Sequence, residues 1–224
     1  MSVQKAKQAA AEKAISYIKD GMIIGLGTGS TAYFAIQKLG KLVAQGLTVK
    51  AVPTSSATER LAREQAIPLL DEFDRVDVTI DGADEVDVCG NLIKGGGGAL
   101  TREKLVAAAS EMEIIIVDES KLVPTLGNFP LPVEVLPFGW PFVQKRLNAL
   151  DCESTVRTCD EKFFVTDNQN YIIDCEFGVI SHPSELASEI KSIPGVVECG
   201  LFIELTDLVI VGRADGSAEE KSFR

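Results

Sequence analysis

The chain has 224 residues, with 22 Lys plus Arg against 33 Asp plus Glu, a formal charge of −11, and one histidine, His182. Such an excess of acid argues against a general nucleic-acid or anionic-membrane surface, which needs a basic face. One imidazole excludes a His-rich metal centre and the paired-His zinc motif.

The length suits one large domain, or one domain with a small satellite. Residues 3–19 are Ala-rich, with Ala11, Ala14, Ile15 and Ile18 on one face, which predicts a helix stopped by Asp20 and Gly21. A rhythm follows: strands at 22–26, 48–52, 76–80 and 114–117, and helices at 31–43, 57–65 and 100–110. Strands alternating with helices imply βαβ units and a mostly parallel sheet, and apolar β-branched strands imply burial on both faces. Pro130, Pro132, Pro137 and Pro141 then mark a boundary. Beyond it the pattern predicts a strand at 133–136, a helix at 142–150 and a strand at 154–158. A hairpin of 163–166 with 171–175, a helix at 184–192 and a strand at 196–203 complete this part. That order resembles a βαββαβ unit with an extra strand. A strand at 208–211 is expected to return to the first sheet, and the polar tail from Arg213 is expected to fray.

The cysteines, Cys89, Cys152, Cys159, Cys175 and Cys199, are odd in number and lack CxxC spacing, so free thiols in a reducing compartment are expected. With no secretory pattern and no apolar run of spanning length, the expected location is the cytoplasm.

Three loops at strand ends carry the chemistry. Ligands of an open parallel sheet bind at the carboxyl ends of its strands, so the three can converge on one crevice. Residues 25–31, GLGTGST, join a strand to a helix. Exposed amides, the hydroxyls of Thr28, Ser30 and Thr31, and the helix N-terminus favour an anion such as a metabolite phosphate; a capped tight turn is the plainer alternative. Neither a Walker loop nor a full dinucleotide fingerprint is present, because Ser30 stands at the third glycine position.

The second loop, residues 81–87, reads DGADEVD. Four carboxylates in seven residues are costly unless solvated or engaged by a ligand. Solvated loop, metal and polyhydroxyl ligand all stay open, though the spacing is not that of an EF-hand. Asp81 and Asp84 are read as the inward pair, Glu85 and Asp87 as solvent-facing.

The third, residues 94–104, reads KGGGGALTREK. Four consecutive glycines are entropically costly, so backbone lying against a ligand is expected. Free amides before a helix, with Lys94 beside them, can stabilise a negative oxygen. Glu103 falls in the first helical turn, where the dipole favours the ionised form. Either it only balances the helix end, or it is a base with an oxyanion site nearby. Residues 53–58 cap a helix or touch ligand. Lys121 and Lys7 are plain surface lysines unless they reach the crevice, and His182 is assigned no chemistry.

In combination these segments are specific. GLGTGSTA at 25–32, PTSSATERLA at 53–62, DGADEVD at 81–87, KGGGGALTREK at 94–104 and GNFPLPVEVLP at 127–137 stand in order along the chain. Later come TDNQN at 166–170 and IPGVVECGLF at 193–202. The chain resembles the ribose-5-phosphate isomerase A family over nearly its whole length. Gln169 and Asn128 depart from the family pattern, as Gly and Lys are expected there, but both lie outside the implied chemistry.

The resemblance implies a doubly wound, Rossmann-like α/β domain, residues 1–129 plus 205–224, and a smaller ferredoxin-like α+β domain, residues 130–204. It implies interconversion of D-ribose 5-phosphate and D-ribulose 5-phosphate through a cis-enediolate, without metal or organic cofactor, by a homodimer or dimer of dimers. Glu103 matches the family's base. Asp81, Asp84 and Lys94 match residues that bind sugar hydroxyls, help open the ring and stabilise the enediolate. Thr28, Gly29, Ser30 and Thr31 match the substrate-binding loop, with Lys7 and Lys121 as added contacts. Gly82, Ala83, Gly95, Gly96 and Gly97 complete the expected substrate-binding set. Two alternatives stay open: another sugar-phosphate isomerase or deaminase, which usually recruits a His near the base, and a non-catalytic sugar-phosphate sensor.

Overall fold

The computed structural model describes residues 2–223. In chain order the elements are α1 (Ser2–Ile15), β1 (Ile23–Leu26), α2 (Ser30–Ala44), β2 (Lys50–Pro53), α3 (Ser56–Glu64) and β3 (Val78–Asp81). Next come β4 (Glu85–Val86), β5 (Leu92–Ile93), α4 (Leu100–Ala108) and β6 (Glu113–Asp118), then a 3-10 turn, Glu119–Lys121. They continue with β7 (Leu131–Val135), α5 (Trp140–Asn148), β8 (Glu153–Val156), β9 (Thr158–Cys159), β10 (Lys162–Phe163) and β11 (Tyr171–Glu176). The last are α6 (Pro183–Lys191), β12 (Val196–Cys199), β13 (Leu201–Phe202), β14 (Leu208–Gly212) and β15 (Ala218–Ser222).

The chain divides into two units: Met1–Ala83, Arg102–Leu122 and Leu205–Arg224 in the first, Asp84–Thr101 and Val123–Glu204 in the second. This division differs from the expected one, because residues 84–101 and 123–129 fall in the second unit. The reason is local: β4 and β5 pair with β13 in a small sheet of their own.

The first unit is built on a six-stranded sheet in the order β15-β14-β6-β3-β1-β2. Neighbours from β14 to β2 are parallel, and β15 is antiparallel on β14. The chain therefore winds from β1 to β2 in one direction and from β3 through β6 to β14 in the other. The reversal falls between β1 and β3, where loops leaving the two carboxyl ends diverge and open a crevice. Ile24, Ile80, Ile114, Ile116 and Ile210 share one face and pack with Ala10, Ala11 and Ala14 of α1 and Ala35, Ile36 and Leu39 of α2. The opposite face sets Val52 of β2 with Val106 of α4. All six residues of β6 are buried, as expected of a strand covered on both sides.

The second unit holds a four-stranded antiparallel sheet in the order β12-β7-β11-β8. With α5 after β7 and α6 after β11, this is the expected βαββαβ unit. Its core includes Leu131, Val133, Val135, Val143, Leu147, Ile173 and Ile190. Cys152, Cys175 and Cys199 are buried there as free thiols, while Cys89 and Cys159 are exposed. The hydrogen bond with Cys152, together with burial, pushes the Cys175 thiol up.

Three expectations fail. The hairpin of 163–166 with 171–175 does not form: β10 pairs with β9, and β11 pairs with β7 and β8. The strand at 196–203 breaks at Gly200, where a Cβ would meet Lys94 O at 2.3 Å, and its halves enter different sheets. The tail does not fray; β15 pairs along its length with β14. Polar composition hid this strand because only one of its faces packs. Glu220 of β15 accepts from Tyr17 at 2.7 Å and pairs with Lys13 at 3.3 Å, and Arg213 pairs with Glu219.

The Tyr17 hydrogen bond holds the Glu220 carboxyl below its usual range, and the Arg213 guanidinium does the same for Glu219. A carboxylate with a depressed folded-state pKa stabilises the fold above its unfolded pKa, and that contribution disappears as pH falls through the folded value. Protection of the amides at residues 218–222, taken relative to the intrinsic exchange rate at each pH, is therefore expected to fall below about pH 4, while β6 stays protected. Exchange measured by mass spectrometry from pH 7 to pH 3 checks this.

Candidate active site

The first unit's site begins where β1 ends. A Cβ on Gly27 would stand 2.1 Å from Asp81 Oδ1 and 2.5 Å from Asp81 Cα, so only glycine lets the loop lie on β3. Gly29 has φ 113° and ψ −179°, a conformation essentially reserved for glycine. It turns the chain into α2, whose first amides receive no side-chain cap. An uncapped helix N-terminus, with Ser30 and Thr31 on it, is suited to an anion. Lys7 Nζ, reaching from α1, donates to Ser30 Oγ at 2.8 Å.

Thr28 faces inward instead. Its amide donates to Asp81 Oδ1 at 3.1 Å. Its hydroxyl lies 2.9 Å from Thr54 Oγ1, 2.8 Å from Ser55 Oγ and 3.2 Å from Thr58 Oγ1. Thr58 Oγ1 donates to Gly27 O and Thr54 Oγ1 to Leu26 O, while Ser55 Oγ caps α3 by accepting from Thr58 N. The PTSSAT segment thus does more than cap a helix: it fastens the β1 loop. A cavity of about 300 Å³ opens beside that loop, lined by Gly27, Thr28, Gly29, Tyr33, Thr58 and Arg60 among others. A larger one, about 360 Å³, is lined by Val52, Pro53, Arg63, Phe73, Arg102 and Leu105, so it touches the segment after β2 and the first turn of α4.

Asp81 closes β3 and is 1% exposed; its Oδ1 also accepts from Gly82 N at 2.7 Å. Gly82 sits near Ile116 O and Thr28 O, and Ala83 ends this stretch of the first unit. Glu103, 5% exposed, lies in the first turn of α4. The helix runs antiparallel to β3, since Val76 N at its foot donates to Ala109 O. Val106 reaches the middle of the sheet, where it would touch a Cβ on Gly25 together with Thr79. Glu103 stands three residues nearer the helix start, roughly 4.5 Å up the axis. Asp81 stands two residues past Thr79, roughly 6.6 Å along the strand. Both carboxylates therefore come to the carboxyl edge of the sheet. Lys121 follows β6 at that edge, half-buried.

In the second unit, Asp84 Oδ2 accepts from Gly96 N at 2.8 Å, and a Cβ on Gly96 would crowd the same carboxylate at 2.7 Å. Lys94 is 2% exposed, with its amide on Gly200 O and its ammonium 5.4 Å over the Phe202 ring. The glycine run is more engaged than the sequence suggests. Gly96 donates to Asp84 and Gly98 to Gly95 O, so only part of the run keeps open amides; Gly96 and Gly97 face solvent. Arg157 is the residue that sequence reasoning misses. Its Nη1 donates to Gly95 O at 2.9 Å and Gly96 O at 3.2 Å, while Nε and Nη2 grip Asp174 at 2.9 and 2.5 Å. A lone Arg on a polar stretch carries no local signal of this task.

Two further expectations are corrected. Glu85 is buried and accepts from Gly127 N at 2.7 Å and Phe129 N at 2.6 Å. Asp87 is half-buried and accepts from Cys89 N, Asn91 N and Asn91 Nδ2, closing the turn before β5. His182 stands at the start of α6, without a capping hydrogen bond. Among the described residues, no group of three or more His, Cys, Asp or Glu side chains is arranged to hold a metal ion, and no helix is long and apolar enough to cross a membrane.

The sequence profile of ribose 5-phosphate isomerase A (phosphoriboisomerase A) matches residues 50–216. The chain belongs to this family. Ribose-5-phosphate isomerase A of Bacillus mycoides (strain KBAB4) is 53% identical over 216 residues, covering 95% of this chain and 98% of that protein. Two solved structures agree. A D-ribose-5-phosphate isomerase in complex with phospho-erythronic acid is 40% identical, with a TM-score of 0.95 over 99% of this chain and 100% of its own. Ribose 5-phosphate isomerase from Plasmodium falciparum is 39% identical, with a TM-score of 0.94 over 98% of both chains. The contact between Gly27 and Asp81 leaves no room for a Cβ. Gly27→Ala forces backbone apart at Asp81 Cα. It is expected to cost about 1–3 kcal/mol, read as a lowered midpoint in thermal unfolding.

Proposed function

We propose that the chain interconverts D-ribose 5-phosphate and its ketose isomer, D-ribulose 5-phosphate, the isomerisation step of the non-oxidative pentose phosphate pathway. The observation that carries this reading is family membership at 53% identity across 95% of the chain. The same comparisons favour the isomerase over a deaminase or a sensor. A relative holding phospho-erythronic acid supports a phosphorylated sugar as ligand.

In the proposed mechanism, Asp81 and Asp84 accept hydrogen bonds from sugar hydroxyls and assist ring opening. Glu103 removes the C2 proton of the open-chain aldose. The electron pair moves through C1–C2 to the carbonyl oxygen, which becomes an enediolate oxygen whose charge is assigned to the Lys94 ammonium. The O2 hydroxyl proton passes to O1, which becomes a hydroxyl, Glu103 returns its own proton to C1, and O2 is left as the ketose carbonyl. One carboxylate serving both carbons needs no histidine. The phosphate is assigned to the uncapped start of α2 (Gly29, Ser30 and Thr31), where Lys7 stands beside Ser30, with Lys121 as an added contact. Gly82, Ala83, Gly95, Gly96 and Gly97 supply backbone to the substrate; Thr28 holds the loop.

No cofactor is assigned to this reaction. The five free thiols support a reducing cytoplasm. Exposed Leu136, Phe138 and Phe142 support assembly as a homodimer or dimer of dimers.

Ribulose 5-phosphate formation from ribose 5-phosphate in EDTA tests the reaction, with glucosamine 6-phosphate as the competing substrate; turnover of only the latter would overturn the reading. Glu103→Gln is expected to lower kcat by orders of magnitude while substrate affinity stays within a few-fold; near-normal kcat removes Glu103 from the base role. Lys94→Ala is expected to raise KM and lower kcat together, in the same steady-state assay.

A further inference from the structure

Glu134 lies on β7, flanked by β12 and β11, and its side chain is fully buried. A carboxylate in that position is costly unless hydrogen bonds replace its water. Four neutral donors do so, and they are divided between the two oxygens. Oε1 accepts from Thr166 Oγ1 at 2.9 Å, Asn170 Nδ2 at 2.8 Å and Asn168 Nδ2 at 3.3 Å. These belong to one turn, which also closes on itself through Thr166 N on Asn170 O and Asn170 N on Thr166 Oγ1. Oε2 accepts from Thr101 Oγ1 at 2.6 Å. Thr101 is the second residue of α4, two ahead of Glu103.

We infer that Glu134, acting through Thr101, is a positioning residue that fixes the first turn of α4 and so the Glu103 carboxylate. The inference rests on the reading of Glu103 as the base. The first turn of a helix lacks the hydrogen bonds of its interior, and here it follows Gly95–Gly98, residues of the most permissive type, whose contacts to Asp84 and Arg157 fall at Gly95 and Gly96, before the helix begins. A tether is needed if a base is to stay in place. A hydroxyl on an ionised acceptor makes a short, strong hydrogen bond, and β7, bonded on both sides, gives it a stiff support. The turn at 166–170 is satisfied through Oε1, leaving Oε2 for the helix. Misplacement of a reacting group by about 1 Å costs up to about 10²-fold in rate.

The test is Thr101→Val, which removes the hydroxyl and keeps the shape. kcat is expected to fall at least about 10-fold with KM within about two-fold, and Thr101→Ser is expected to restore it. Thr166→Val removes one donor from the other oxygen; it is expected to lower the unfolding midpoint and leave kcat within about two-fold. Unchanged kcat in Thr101→Val overturns the inference. So does an equal kcat loss in Thr166→Val, the signature of a carboxylate that only holds the fold. If Thr101→Val does not fold, Glu134→Asp, which retracts the charge by one methylene, is measured instead; the same kcat loss supports the inference and normal kcat overturns it. Glu103→Gln separates the two readings: activity there defeats the base assignment, whereas an inactive Glu103→Gln beside a fully active Thr101→Val defeats only the positioning role.

Discussion

The carboxylate of Asp81 is the constraint on which the first unit's crevice depends. Two loops leave neighbouring strands in different directions, and their amides need acceptors once they are shielded from water. Asp81 Oδ1 supplies one to Thr28 and one to Gly82. That tie forces glycine at 27, since any side chain would occupy the space of the carboxylate. The inward Thr28 hydroxyl then gathers Thr54, Ser55 and Thr58, so the loop after β2 is bound to the same point. With three strand ends fastened together, the start of α2 is held by its surroundings, and its amides need no cap from the chain itself.

The same device recurs across the molecule. Asp81, Glu85 and Glu134 are buried, and backbone amides, hydroxyls and side-chain amides satisfy them. A chain of charge −11 thereby internalises acids on backbone amides and neutral side-chain donors. On the proposed reading, this reconciles global acidity with a phosphate ligand: the anion meets a helix start and Lys7, and distant carboxylates are screened over about 10 Å of salt water.

The parallel strands were legible because their apolar, β-branched runs report burial on both faces. The small unit's order was legible for the same reason, except where tertiary pairing overrode local cues. A turn at 167–170 reads as a hairpin, yet β11 finds better partners in β7 and β8. β15 was illegible because an edge strand needs only one packed face, so Glu219, Glu220 and Lys221 look like a solvated tail. In the candidate site, the placement of Glu103 in the first turn of α4 could be read from the glycine run that precedes the helix. Glu85 could not, because its partners, Gly127 and Phe129, lie more than forty residues away and act through backbone amides. Arg157 was hidden by the same distance.

The placement of β14 bears on how the chain is made. Ribosomal synthesis delivers β1, β2, β3 and β6 early, but the strand that covers the outer side of β6 comes only after residues 123–204. Until then the β6 edge, Glu-Ile-Ile-Ile-Val-Asp, is a nascent parallel template with a strongly apolar sequence. Such an edge invites pairing with other chains. Completion falls to residues 208–222: β14 fills the gap, and charged β15 then borders the sheet with a strand that discourages further addition. A nascent chain stalled before residue 208 would therefore carry most of its loops and still lack a finished sheet to hold them.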